Sequence, residues 1–412
     1  MRRKLLIILL MLAIYRIGCF IGLPYVDAEK ILNPTDSNNL FAFITGGGQG
    51  TIFAMGIGPY ITSSIVMQLL TVAIPALERI QKEGEEGRKK INQITRFVAV
   101  GLSALQAAGT VYSMNNQGMF VGGGNWFVWI TGTVSLITGS MFIMWIAELL
   151  TERGVGNGSS FIIFANILAN LPQAVSGFVN YAINSFPVGA IVVLVLVALF
   201  IAVMGFVTWI QDGERRIPVQ YSKKMVGRQM YGGQSSFIPI KVNIAGVMSI
   251  IFAISLLQFP QQLNQFFQWD WLTATVDFLS ISATTSHPSG AHPVAAAIYV
   301  FLIFAFTFFY TSFAINPVEM AENMKKNGGF VPGIRPGKPT SDYIQRTVDR
   351  LSWIGAVFYA LVALVPLLAQ WIFGISVGFG GTTLLIVTGV ALELVKQLES
   401  QLLLRHHKGF LS

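Results

Sequence analysis

Long apolar runs, separated by shorter polar and basic segments, make up most of this chain. Windows of about 20 mostly apolar residues recur along it, and that length crosses a bilayer as an α-helix. The second, seventh and tenth windows are the shortest, so the total count depends most on them. The windows predict ten membrane-spanning helices, at residues 5–23, 57–74, 94–114, 126–150, 159–178, 186–210, 244–259, 294–315, 351–373 and 382–398. The pattern therefore predicts an all-α polytopic membrane protein.

The composition excludes a soluble globular protein. Apolar residues make up 53% of the 412 residues and charged residues only 11%, against roughly 25% charged residues in a soluble domain. So little charge could not cover the surface of a soluble chain of this size. The single cysteine, Cys19, also excludes an intramolecular disulfide.

The first apolar run follows a basic start, as a signal peptide would. It reaches Leu23 without a clear small-residue cleavage site, so we interpret it as a retained first span. Its abrupt beginning predicts a short N-terminal extension ahead of Met1.

The cations lie almost entirely on one side of the predicted membrane. Of the 27 Lys and Arg residues, all but two fall at the termini or in the loops after spans 2, 4, 6 and 8; the exceptions are Arg16 and Lys30. Cytoplasmic loops are enriched in Lys and Arg, so both termini are predicted to be cytoplasmic. Ten spans divide into halves of five, residues 1–180 and 181–412. An odd number per half inverts the second half, as in inverted-repeat membrane proteins with a pathway between the halves.

Ionisable residues are rare within the predicted spans. Arg16 lies inside the first span, whereas Glu148 and Glu393 lie near cytoplasmic ends. The absence of an Asp/Glu/His chain argues against a proton-driven transporter, and the absence of an H-E-x-x-H motif argues against a metalloprotease. We interpret the Pro-rich outer loop with His287 and His292 as a turn, and predict no catalytic residue, metal or cofactor.

A glycine-broken apolar segment follows the first span. Gly46, Gly47 and Gly48 separate two apolar stretches that are too short to cross a membrane. The segment lacks the G-x-x-x-x-G-K-[ST] spacing of a phosphate-binding loop. Irregular backbone at membrane depth is tolerated only where protein buries it or it lines a cavity. A re-entrant segment and an outer surface loop both fit this pattern.

Six motifs, in order along the chain, resemble the SecY family of protein-conducting channels. They are IGPYITSSI at 57–65, KEGEEGRKK at 82–90, ERGVGNG at 152–158, KVNIAG at 241–246, FVPGIRPG at 330–337 and FGGTTLLI at 379–386. They cover essentially the whole chain. The resemblance implies two inverted five-helix halves around a central pore, with a re-entrant plug helix.

The resemblance also implies a constriction made by a ring of aliphatic side chains. Its members would be Ile57, Ile61, Ile163, Ile251 and Ile386. A narrow apolar ring dewets and blocks ions. This chain has Ser159 where the family often has an aliphatic residue, so a sixth member is polar or absent.

Two moving parts are implied beside the ring. Residues 40–55 would form the plug that seals the outer funnel, with the contributing residues Leu40, Phe41, Phe43, Ile44, Gly46, Gly47, Gly48, Ile52 and Phe53. Spans 2 and 3, facing spans 7 and 8, would form a lateral gate with a polar cluster of Gln68, Thr95 and Asn243. Polar groups between spans contribute about 1 kcal/mol, which biases a gate closed without locking it.

The cytoplasmic loops at about 211–241 and 317–350 carry the remaining implied site. Their basic residues are Arg215, Arg216, Lys223, Lys224, Arg228, Lys325, Lys326, Arg335 and Lys338. Residues 217–221 predict a strand before a hairpin. Attraction to anionic lipid would explain basic loops, but the resemblance implies docking of a SecA motor ATPase and of the ribosome, whose RNA attracts cations. Arg335 matches a family arginine for that engagement.

The resemblance implies the channel subunit of a translocase in the bacterial inner membrane. It would conduct unfolded secretory polypeptides passively, and release membrane segments into lipid, with energy from the motor or from translation. The implied partners are small SecE-like and SecG-like subunits, SecA, the ribosome, an unfolded preprotein or signal sequence, and lipid. The alternatives are an inverted-repeat solute transporter, which would need polar ligands at mid-membrane, and a structural or assembly protein.

Overall fold

The computed structural model describes most of the chain. The described residues are 2–27, 50–116, 118–121, 125–154, 156–184, 186–221, 224–226, 229–231, 235–267, 269–279, 292–373 and 381–408.

Helices dominate these ranges. Their bounds are α1 Arg2–Gly18, α2 Gly58–Ala73, α3 Pro75–Lys82, α4 Glu85–Asn116, α5 Trp126–Arg153, α6 Gly158–Asn184, α7 Val188–Asp212, α8 Met248–Phe267, α9 Asp270–Leu279, α10 Pro293–Ala314, α11 Pro317–Lys326, α12 Lys338–Phe373 and α13 Gly381–Lys408. Each of the ten predicted spans coincides with one of them: α1, α2, α4, α5, α6, α7, α8, α10, α12 and α13.

Length and hydropathy single out a subset of these helices as membrane spans. Six stretches in the described residues are long and apolar enough: α4, α5, α6, α7, α10 together with α11, and the first part of α12. A seventh forms if α2 and α3 count as one span bent by 101°. The bend follows from Pro75, which starts α3 and cannot continue α2. The count of ten spans therefore stays a prediction.

The first predicted span extends too far at its C-terminal end. Helix α1 stops at Gly18, where the sequence prediction continued to Leu23. Beyond the helix the chain turns and forms an antiparallel bridge between Gly22 and Thr51. The apolar run is thus divided between a helix and an extended stretch, which hydropathy alone does not distinguish.

The helices pack around one large apolar core. This core contains buried residues of α1, α2, α5, α6, α7, α8, α10, α12 and α13. Contacts between the two halves run from α4 to α8 and from α6 to α7 and α13. Outward-facing apolar side chains such as Leu194 and Ile201 of α7 are exposed, as expected where lipid is the solvent.

The two long basic loops fold into a unit of their own. The strands are β1 Glu214–Tyr221, β2 Lys224–Val226, β3 Gln229–Tyr231, β4 Ser235–Lys241 and β5 Gly329–Phe330. Strand β1 lies between β4 and β5 in an antiparallel sheet, and β2 pairs with β3. Arg216 lies opposite Pro239, and Gln220 lies opposite Phe330. The predicted strand at 217–221 is confirmed.

A small core beneath this sheet joins both loops to α12. Ile217 and Val219 of β1 pack there with Met324 of α11 and with Ile344 and Val348 of α12. What the sequence presented as two separate loops is therefore one packed body, which we call the basic platform (residues 214–221, 235–241 and 317–351).

Candidate functional site

The five predicted ring isoleucines all lie in or against the large core. Ile57, Ile61, Ile163 and Ile386 are buried there, and the partly buried Ile251 packs against it. They come from α2 and α6 in the first half and from α8 and α13 in the second. Ile57 immediately precedes α2, and the Ile61 amide donates to the Ile57 carbonyl at 3.1 Å, so these two lie one turn apart on the same face.

Ser159 lies in the first turn of α6. Its backbone amide donates to Oδ1 of Asn157 at 3.0 Å, so the Asn157 side chain caps the start of this helix. Ile163 follows Ser159 by four residues and therefore lies on the same helix face. A polar residue thus stands one turn to the N-terminal side of a predicted ring member.

The structure describes only two of the predicted plug residues. Ile52 and Phe53 are described, whereas Leu40, Phe41, Phe43, Ile44, Gly46, Gly47 and Gly48 lie outside the described residues. The Phe53 ring is buried between Tyr15 of α1 and Phe142 of α5, at 6.0 Å between centroids on each side.

Two glycines make room for the end of this segment. A Cβ at Gly18 of α1 would overlap the Phe53 ring, and a Cβ at Gly139 of α5 would overlap the backbone carbonyl of Ile52. Backbone hydrogen bonds complete the attachment: the Leu23 amide donates to the Gly50 carbonyl at 2.8 Å, and the Ile52 amide donates to the Ile21 carbonyl at 3.0 Å. Residues 50–53 are thus fixed to α1 and α5.

The three predicted gate residues are buried or half-buried but are not hydrogen-bonded to one another in the described residues. Thr95 of α4 donates to the Ile91 carbonyl at 2.9 Å, and its own carbonyl accepts from Ser63 of α2 at 2.6 Å. Oε1 of Gln68 and Oδ1 of Asn243 are both buried, and neither accepts a hydrogen bond from a residue in the described ranges. A buried acceptor without a hydrogen bond destabilises the folded protein by about 1–3 kcal/mol. Each of these two side-chain oxygens could therefore accept a further hydrogen bond.

A direct bond across the predicted gate involves two residues that the sequence reasoning missed. Nε2 of Gln106 in α4 donates to Oε1 of Gln262 in α8 at 3.0 Å. Gln262 lies beyond the predicted end of span 7, because that window stopped at residue 259, whereas α8 continues to Phe267. The signal that could have found the pair is a polar amide within or next to an apolar window.

Ion pairs between side chains join two pairs of helices. Arg96 of α4 contacts Glu148 of α5 at 2.7 Å, and Lys396 of α13 contacts Asp212 of α7 at 2.6 Å. Exposed pairs of this kind contribute less than about 1 kcal/mol each. On α3, the hydrogen bond from Lys82 lowers the pKa of Glu78.

The predicted docking cations lie mostly on the basic platform. Arg215 and Arg216 of β1, Lys325 and Lys326 of α11, Arg335 and Lys338 are all exposed. The Arg216 guanidinium lies 4.8 Å from the ring centre of Phe237, and the Arg335 carbonyl accepts from Thr340 at 2.8 Å. Lys224 belongs to β2, while Lys223 and Arg228 lie outside the described residues.

In the part of the chain that the structure describes, no group of three His, Cys, Asp or Glu side chains is arranged to hold a metal ion. Nδ1 of His292 accepts from the Val294 amide at 3.2 Å, which caps α10. His287 lies outside the described residues.

Long apolar helices around an isoleucine-rich core, with a basic platform at one end, define a multi-span helical membrane protein with the fold of known protein-conducting channels. A solved structure of a protein conducting channel superposes with a TM-score of 0.68 over 96% of this chain and 91% of that chain, at 19% identity. Canine Sec61 from a ribosome-channel complex gives 0.63 over 96% and 91%, at 17% identity. A SecY structure in which the plug domain is described as stabilising the closed translocation channel gives 0.65 over 95% and 90%, at 20% identity.

Sequence comparisons supply the family. The family model described as SecY matches residues 51–395. Protein translocase subunit SecY of Streptomyces galbus is 41% identical over 100% of this chain and 97% of the relative. The same subunit of Aquifex aeolicus is 40% identical over 100% and 96%, and that of Halalkalibacterium halodurans 42% over 100% and 97%. The chain belongs to the SecY family.

Proposed function

We propose that this chain is the channel-forming subunit of a bacterial protein translocase. The observation that carries the proposal is that five isoleucines from both halves lie in or against one apolar core, four of them buried and Ile251 partly buried, within a chain of the SecY family. Family membership also decides against the solute transporter that the sequence pattern alone left open.

The isoleucines would act as a closed but deformable constriction. An apolar ring excludes water and ions, and the aliphatic side chains can move apart for an extended polypeptide. Conduction of this kind needs no covalent chemistry, so energy would come from a cytoplasmic motor or from translation.

The lateral gate would open between α2 and α4 on one side and α8 and α10 on the other. The Gln106–Gln262 hydrogen bond supports this placement, because it joins the two sides directly. An interhelical bond worth about 1 kcal/mol favours the closed gate, yet transfer of an apolar signal helix into lipid releases far more free energy.

The basic platform would receive the cytoplasmic partner. Its exposed arginines and lysines would attract ribosomal RNA or acidic surfaces of a SecA-type motor. A relative of the same fold, canine Sec61, was solved in a ribosome-channel complex, and yeast Ssh1 was solved bound to the 80S ribosome. SecE-like and SecG-like subunits would complete the assembly, in the bacterial cell membrane with both termini in the cytoplasm.

Reconstitution tests the proposal. Liposomes that contain this chain with its small subunits, motor and ATP should protect a secretory precursor from added protease. A matched precursor without its signal sequence serves as the control. Protection no greater than in liposomes that lack the chain would contradict the proposed function.

A further inference from the structure

Helix α9 joins the ends of two long apolar helices on the side of the molecule that faces away from the basic platform. Helix α8 begins shortly after the platform strand β4, and α10 leads into the platform helix α11. The 20 residues of α8 and the 22 residues of α10 correspond to lengths of about 30 and 33 Å. The hydrocarbon core of a bilayer is about 30 Å thick, so the far ends of α8 and α10 lie at the membrane surface opposite the platform.

Helix α9 lies across these two far ends. Trp269 precedes its first residue and follows closely on the end of α8. At the other end of α9, the Phe278 ring lies 4.6 Å from the ring of His292, which caps α10. The 10 residues of α9 extend over only about 15 Å, which is too short to cross a membrane. Helix α9 therefore runs along the membrane surface from α8 to α10.

One face of α9 packs on the protein, and the next carries exposed aromatic side chains. Leu272 is buried, and Leu279, seven residues later, packs against the large core. Trp271 and Phe278 are also seven residues apart, and both are exposed. Seven residues make about two helical turns, so each pair forms one continuous face.

A third face of α9 is acidic. Asp270 and Asp277 are exposed and again seven residues apart. Successive helical residues differ by about 100° around the axis, so the aromatic face lies between the acidic face and the leucines. The sequence has no lysine or arginine between Lys241 and Lys325. Protein on one side, aromatic rings beside it and carboxylates beyond is the order expected where lipid meets water.

The two tryptophans show which environment the aromatic face prefers. Trp269 is 50% exposed and Trp271 61% exposed, and their rings stack at 5.7 Å between centroids. Tryptophan is enriched at both surfaces of a membrane, because its ring is apolar and its N–H needs a polar partner. The exposed apolar surface continues along α10 through Val294 and Phe301, as expected for a face in contact with lipid.

We propose that α9 is an interfacial anchor whose partner is the phospholipid surface opposite the platform. Trp269, Trp271 and Phe278 insert into the boundary between headgroups and acyl chains, while the two aspartates stay in water. Amphipathic helices of this kind bury their apolar face by about 5–10 Å. The anchor thereby fixes the depth of the far ends of α8 and α10 in the membrane.

Fluorescence quenching measures this depth. In a Cys19→Ser background, Trp271→Cys or Asp270→Cys carries an environment-sensitive fluorophore, and the full-length chain is studied in vesicles of phosphatidylethanolamine and phosphatidylglycerol. The two positions are adjacent and both exposed, which makes Asp270→Cys the matched control. The fluorophore at Trp271→Cys should be quenched severalfold more strongly by spin-labelled lipid than by aqueous iodide. At Asp270→Cys the order should be reversed.

Phe278→Cys covers the case in which Trp271→Cys fails to insert, because it reports on the same face. Its quenching by lipid should persist when Trp271→Tyr is added, since tyrosine also favours the interface. It should fall severalfold with Trp271→Glu, which places a charge on the face. Strong iodide quenching on the aromatic face would mean that it lies in water, and quenching by neither agent would mean that a protein covers it. Either result would overturn the anchor.

Discussion

At the scale of single residues, glycines decide how closely the end of the plug segment can approach the helices. Gly139 of α5 faces the Ile52 carbonyl, and Gly18 of α1 faces the Phe53 ring. Ring atoms at the end of a side chain can rotate away, whereas a backbone carbonyl held by neighbouring hydrogen bonds cannot. Gly139 is therefore the less replaceable of the two.

We expect Gly139→Ala to destabilise the protein by about 1–3 kcal/mol, because the added methyl group overpacks the contact with Ile52. Gly101→Ala is the matched control, since a Cβ at Gly101 in α4 meets no atom within 4 Å. That change should be neutral or stabilising by up to about 1 kcal/mol. Thermal unfolding of the purified complex measures both, and equal effects of the two substitutions would refute the close-packing argument.

At the scale of helices, the ten apolar windows predicted the positions of ten helices. They could do so because residues that face lipid or the protein core are mostly apolar, so each such helix appears as an apolar run in the sequence. Boundaries were predicted less well. The end of α1 depends on a bridge to Thr51, a long-range pairing that no local pattern encodes. The C-terminal part of α8 carries Gln262 and Asn264 beside Pro260, a polar composition that is typical of loops, so the apolar window ended before it.

The Gln106–Gln262 bond yields a prediction about the packing of α4 against α8. Gln106→Leu and Gln262→Leu should each raise export of a precursor with a weakened signal sequence by roughly three- to fivefold, because each removes a bond worth about 1 kcal/mol. The double variant should resemble either single variant, since both changes remove the same bond. Multiplicative effects in an export assay would show that the two amides act independently.

At the scale of the whole molecule, the sequence resemblance predicted five isoleucines that lie in or against the large core, and most of the cations that are exposed on the platform. It could not show that the loops at 211–241 and 317–350 form one body. That unit depends on the pairing of β1 with β5 and on a shared core, and both join residues about 100 positions apart. Contacts at such separation are set by the fold rather than by any local period.

The whole platform should therefore unfold together when a side chain in its core is truncated. Ile217→Ala removes a buried side chain that is 2% exposed and should destabilise the platform by about 2–5 kcal/mol without changing any charge. We expect faster trypsin cleavage at the platform arginines and weaker motor-driven export. Val318→Ala, on the exposed side of α11, is the control. Normal export by Ile217→Ala would mean that docking needs only the charges, not the folded platform.

The account as a whole depends on the isoleucine constriction lying on the path of the polypeptide. In a Cys19→Ser background, a cysteine at Ile61 should crosslink to a cysteine in a secretory chain arrested during export. A cysteine at the exposed Leu194 of α7 should not crosslink. Efficient crosslinking at Ile61 alone is the predicted result, whereas crosslinking at Leu194 or at other lipid-facing positions, with none at Ile61, would contradict the channel model.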